Sequence, residues 1–213
     1  MTGTLTNRTR ALVAIAALLL VPAFFQPLWT INLEAPQYPE GIGMDIMVNT
    51  IRGQGEYDLQ NINGLNHYIG MKAIHPESIR ELQIMPWLLG GLAAFGLVVA
   101  AVGRRRLLQV WVIAFVLLAL AGLVDFYLWG YDYGHNLNPD AAIKVPGMAY
   151  QPPLIGSKQL LNFRAHSWPG LGGILMIVSL LIGAAALWLD WRGRKRAEPT
   201  GRVPVGELGH ARA

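Results

Sequence analysis

The chain has 213 residues, of which 53% are hydrophobic and only 14% charged; soluble domains carry about 25% charged residues, so a water-soluble monomer could not hide this much apolar surface. The formal net charge is +4, but the basic residues stand in short clusters beside apolar runs and no nucleic-acid recognition motif accompanies them, which excludes nucleic acid as a partner and points to a lipid bilayer. With no cysteine in the chain, disulfides, thiolate metal sites, iron–sulfur ligation and cysteine nucleophiles are excluded, and methionine is the soft sulfur ligand that remains.

Four apolar runs are set apart by polar stretches, as in a polytopic membrane protein. The first, residues 11–29, follows Arg8 and Arg10 and is interrupted by Pro22 and Pro27. A signal peptide is the competing reading, but its apolar core is about 7–15 residues long. This run continues through Phe24, Phe25, Leu28 and Trp29 and reads as a retained helix. The second run, 86–103, opens with a proline at a tolerated first-turn position and stops at Arg104, Arg105 and Arg106. The third, 107–129, is long enough for a hydrocarbon core of about 30 Å at 1.5 Å per residue. Only a tight turn fits between these two runs, so they form an antiparallel hairpin. The fourth, 168–191, closes on Arg192, Arg194, Lys195 and Arg196, and residues 197–213 read as a disordered cytoplasmic tail.

The fold expected is an all-α membrane protein, one compact domain over 1–196 with four transmembrane helices and two structured outer loops, 30–85 and 130–167. The densest basic clusters abut the ends of the runs at Arg104 and Arg192, which puts both termini and the arginine turn in the cytoplasm. Trp29, Trp87, Trp129 and Trp168 then mark the outer interface, Trp188 and Trp191 the inner one. In the first loop, Gly64–Ile74 and His75–Met85 read as short surface helices, the latter from Pro76 with Glu77 near its start. The second loop, with Pro139, Pro146, Pro152 and Pro153, reads as an extended cap.

His67, His75, His135 and His166 all lie in the outer loops, together with Met44, Met47, Met71, Met85 and Met148. In HYIGMKAIH, His67, Met71 and His75 recur every four residues, which on a continuous helix aligns two imidazoles and a thioether on one face. In GMDIM, Met44 and Met47 have the three-residue spacing that puts two thioethers on one side of a turn. Imidazole and thioether without thiolate suit copper, especially its reduced form, whereas a hard cation wants oxygen ligands. His67 and Met71 are the leading pair, with His75, Met44, Met47, His135, Met148 and His166 as helpers. The competing reading is that the methionines pack and the histidines cap or face solvent, and Pro76 disfavours helical geometry at His75.

Asp125 is an intramembrane acid about one turn from the outer end of the third helix; pairing with Arg164 or Arg52 is the simpler expectation, proton transfer the other. Asp190 reads as a surface ion pair beside the basic cluster. None of the four runs contains histidine, which argues against haem held between helices. GxxxxGK[ST], HExxH and GxSxG are all missing from the sequence.

At NINGLNHYIGM (Asn61 to Met71) and YQPPLIGSKQLLNF (Tyr150 to Phe163) the chain resembles a group of uncharacterised bacterial membrane proteins encoded beside nitrous-oxide reductase and its maturation and copper-delivery genes. The resemblance runs from the first helix to the fourth, and the two outer motifs are its specific part. It implies a multi-pass inner-membrane protein working at the periplasmic face, with another membrane or periplasmic protein as partner, in the assembly of a copper enzyme. The function expected is that of a non-enzymatic accessory protein that binds or passes copper by ligand exchange. The alternatives are a structural subunit of a larger membrane complex and, third, a quinone- or proton-handling enzyme using Asp125 and His135.

Overall fold

In the computed structural model, which describes residues 3–197, helix α1 (Asn7–Leu18) leads through a 3-10 turn at Pro22–Phe24 into strands β1 (Trp29–Ala35), β2 (Tyr38–Ile46) and β3 (Ile51–Gly53). Helices α2 (Asp58–Ile69), α3 (Arg80–Val102) and α4 (Arg105–His135) follow, then strands β4 (Gly156–Leu160) and β5 (Phe163–Pro169) and helix α5 (Leu171–Ala197). Four helical stretches are long and apolar enough to cross a membrane: Asn7–Phe24, Arg80–Val102, Arg105–His135 and Leu171–Lys195. The tail expected over 197–213 lies, past its first residue, outside the described residues.

Local signals set the ends of these helices. The Thr6 hydroxyl accepts from Thr9 N at 3.2 Å and caps α1. Helix α3 stops at Gly103, whose left-handed φ of +68° costs a glycine little. Gly103 and Arg104 alone separate it from α4. The Arg10 guanidinium donates to Ala100 O and Ala101 O at 2.8 and 2.7 Å, satisfying carbonyls that the end of α3 leaves free. Pro86 lies inside α3 rather than at its start, because the helix begins at Arg80. Helix α4 runs six residues past Trp129 to His135. Its 31 residues give roughly 46 Å of helix, more than a hydrocarbon core of about 30 Å, so its last turns project beyond the bundle.

Helix α1 packs between α3 and α5. Trp111, Phe115, Leu89, Val13 and Ala16 fill the bundle core, and the buried Ser179 hydroxyl donates to Ala16 O at 2.6 Å. At the arginine end, Asp190 is buried rather than on the surface. Its Oδ2 is 3.3 Å from Nε of both Arg105 and Arg194, in ion pairs without hydrogen-bond alignment.

The all-α expectation is wrong: at the end of the bundle opposite the arginine turn lies a five-stranded antiparallel sheet in the order β3-β2-β1-β5-β4. It draws three strands from the first outer segment and two from the second, so the two segments form one layer. The reason is a period-two pattern. Trp29, Ile31 and Leu33 alternate with Thr30, Asn32 and Glu34, and Ile42, Met44 and Ile46 with Gly43 and Asp45. The apolar set packs with Ile62 of α2, Leu82 of α3 and Phe126 and Trp129 of α4. The polar set shares the other face with Arg164 and His166, since Asn32 pairs with His166 and Glu34 with Arg164. Trp29, assigned by its hydrophobicity to a helix end, instead opens β1, and its indole donates to Ser167 Oγ at 2.8 Å.

Candidate metal centre

The stretch expected to align His67, Met71 and His75 does not form one helix. Helix α2 ends at Ile69, and Gly70 takes a left-handed φ of +82°, so Met71 leaves the helix axis and the four-residue alignment is lost. Two asparagines of the NINGLNHYIGM motif fix where it goes. The Asn63 side chain donates to Ile74 O at 3.1 Å and accepts from Ile74 N at 2.7 Å. Asn66 donates through its side-chain amide to Lys72 O at 3.3 Å, and its backbone carbonyl accepts from Met71 N at 2.8 Å. Lys72 Nζ lies 2.6 Å from Asp132 Oδ2, tying the same segment to the projecting end of α4.

Met44 lies in β2 and Met47 in the turn after it, where Met47 N donates to Thr50 O at 2.8 Å. Met47 therefore lies past the end of the strand, and of the two only Met44 lines the cavity described below, although both are buried. Met44 faces the inside of the sheet. At the start of α2, Asp58 Oδ2 accepts from Gly43 N at 2.9 Å and Gly55 N at 3.0 Å, which locks α2 onto β2 beside Met44.

These two anchors bring Met44 and Met71 onto one partly open cavity of about 50 Å³ between the sheet, α2 and the end of α4. That is room for a water-sized guest. Asn66, Trp129, Tyr133 and Tyr150 share the lining with aliphatic side chains. Tyr150 is 2% exposed, and its hydroxyl is buried without a hydrogen-bond partner, a condition that costs about 1–3 kcal/mol if nothing fills it. Two thioethers in an apolar wall make a neutral, soft donor pair, suited to a monovalent soft ion better than to a hard divalent one, with the harder phenol oxygen of Tyr150 beside them.

The remaining candidates stand elsewhere. His67 is exposed, edge-on to Tyr68. His75 is exposed, with Nδ1 3.4 Å from Glu77 Oε1. His135 ends α4, stacked on Tyr131 at 3.9 Å with Nδ1 3.0 Å from Tyr131 O. Met148 is half-buried in the irregular stretch before β4. His166 lies on the polar sheet face, Nδ1 2.6 Å from Ser157 Oγ and Nε2 3.4 Å from Glu34 Oε1. Among the described residues, no three His, Asp or Glu side chains gather as a metal site. Asp125 pairs with neither Arg52 nor Arg164: Arg52 is 3.9 Å from Asp45, and Asp125 lines a second cavity with Glu81.

Tyr150 and Asn66 were not singled out from sequence chemistry, yet both lie in the two motifs that carry the resemblance, and those motifs meet at this cavity: Met71 and Asn66 from the first, Tyr150 and Phe163 from the second. The chain matches no protein-family model and no curated protein.

Proposed function

We propose that this protein is a non-enzymatic integral membrane accessory protein. It holds reduced copper as cargo in the cavity between Met44 and Met71, at the extracytoplasmic face, and passes it to a copper enzyme under assembly. The observation that supports this reading is the convergence of two thioethers, 27 residues apart in sequence, on one small cavity with an unpartnered buried phenol hydroxyl. Met44 is 5% exposed while Met71 is half-buried, so Met44 is the inner ligand and Met71 the one an acceptor protein reaches. Copper leaves by exchange: a donor on the acceptor replaces Met71 first, and the ion then departs Met44. The neutral donors bind a single positive charge without burying a second charged group beside it.

The test is an oxygen-free titration of the detergent-purified chain with cuprous ion, read as bound metal per protein. The expected result is near-stoichiometric copper in the unaltered chain, lost in the volume-conserving Met44→Leu/Met71→Leu variant and kept in His67→Ala/His75→Ala. Copper retained by the double leucine variant refutes this site. An unaltered chain that takes up no copper favours the other class, a structural subunit whose methionines only pack, and such a subunit should co-purify with partners in mild detergent.

A further inference from the structure

A larger cavity, of about 310 Å³, lies beside the bundle, within the ~300–1,000 Å³ typical of small-molecule sites. From α4 it is lined by Phe115, Leu118, Gly122, Asp125 and Trp129, spaced three or four apart on one helix face; from first to last they span roughly 21 Å of helix. Ile177 and Leu180 of α5 form the opposite wall. A Cβ placed on Gly122 would meet nothing within 4 Å, so the space there is open. The cavity is therefore a half-open apolar slot running along the helices, which suits an extended chain.

Its sheet end differs in chemistry from the rest. Glu81, in the first turn of α3, and Asp125 both line it, and no lysine, arginine or histidine does. Neither carboxylate is in an ion pair among the described residues. Trp129, one turn further along α4, is of the type that marks a membrane interface. Both carboxylates are exposed at the mouth of the apolar slot; two like charges side by side favour a cation between them, and an ammonium group brings three donors to share.

We propose that the slot holds one acyl chain of a phospholipid whose primary ammonium head sits between Glu81 and Asp125. A phosphatidylethanolamine has that head. A phosphatidylglycerol has no cation, and a phosphatidylcholine has a cation without an N–H to donate. This site shares Trp129 alone with the thioether cavity and stands or falls without copper.

The experiment uses the full chain in detergent, incubated with an equimolar mixture of dioleoyl phosphatidylethanolamine, phosphatidylglycerol and phosphatidylcholine, followed by quantification of retained lipid. About one phosphatidylethanolamine per chain is expected, on the order of tenfold over either competitor, equal to about 1.4 kcal/mol of discrimination. Glu81→Gln/Asp125→Asn should erase the preference while leaving chain binding. Gly122→Leu, whose Cβ meets nothing within 4 Å and whose side chain favours helix, should abolish retention with helicity unchanged. Equal retention of phosphatidylglycerol, a quinone or another uncharged amphiphile recovered in place of phospholipid, or a folded Gly122→Leu variant that keeps its lipid would each overturn the proposal. Should Gly122→Leu fail to fold, the carboxylate variant decides alone, and a preference that survives it refutes the head-group assignment.

Discussion

The indole of Trp111 in α4 donates to Leu92 O of α3 at 2.9 Å, and the ring has no exposed surface. A Cβ on Gly96 would come within 2.9 Å of the ring nitrogen, and one on Gly183 of α5 within 2.5 Å of its far edge. The side chain thus bridges three helices through two positions where only glycine fits. Trp111→Phe should lose the buried donor at about 1–2 kcal/mol, and Trp111→Ala about 3–5 kcal/mol through the cavity it leaves. Thermal unfolding in detergent should rank the variants in that order, with Gly96→Leu and Gly183→Leu both unfolding earlier than the unaltered chain.

Asp190 joins α5 to the first turn of α4 through Arg105 and to its own last turns through Arg194. Its side chain is 4% exposed, against 25% for Arg105 and 36% for Arg194. Asp190→Ala leaves a half-enclosed arginine without its counter-charge and should cost about 3 kcal/mol, the low end for a broken buried pair. Arg194→Ala, nearer solvent, should cost less than 1 kcal/mol, as exposed i,i+4 pairs do. Equal losses in the two variants would show that Arg105 does not depend on Asp190.

Tyr150→Phe separates stability from binding. With the cavity empty, removing a buried hydroxyl that has no partner should stabilise the protein by about 1 kcal/mol. If the hydroxyl helps hold copper, the same change weakens cuprous binding by roughly tenfold, or about 1.4 kcal/mol. Chemical denaturation without metal and a competition titration with it give the two signs independently.

Two backbone positions predict opposite effects. Gly70→Ala forces a side chain into a left-handed conformation, with its Cβ 2.9 Å from Ala141 Cβ and from Asn138 O. It should destabilise the sheet layer by about 2 kcal/mol and displace Met71, lowering copper stoichiometry. Leu161, in the two-residue connection of the β4–β5 hairpin, has φ +53°, where a branched side chain is strained. Leu161→Gly should raise the unfolding temperature, consistent with relief of about 1 kcal/mol.

The four membrane helices were legible because apolar runs of that length have few other uses, and the arginine clusters between them mark where helices end. The sheet was legible too, in WTINLEA and FRAHSWP, but those period-two stretches adjoin helical runs and their tryptophans were counted with the helices. Met44 and Met71 were recognised as candidates through helical spacings that the chain does not adopt. What joins them is the β2 register and the break at Gly70, neither visible as periodicity. Asp190 was misplaced because a lone acid near many arginines reads as solvated, and only the packing of α4 against α5 encloses it.

Strand β1 sits between β2 and β5, and Trp29 reaches its hydrogen-bond partner Ser167 across 138 residues of chain. At about 5–20 residues per second of synthesis, β1 waits roughly 7–28 s for that neighbour. Six intervening elements, β2, β3, α2, α3, α4 and β4, must be made and α5 must begin to emerge before the central ladder closes. Over that interval the newborn chain carries a bare edge with isoleucine and tryptophan along it, the kind of template on which strands from other chains can add. Biogenesis, rather than the finished fold, is therefore the stage at which this protein is most exposed to aggregation.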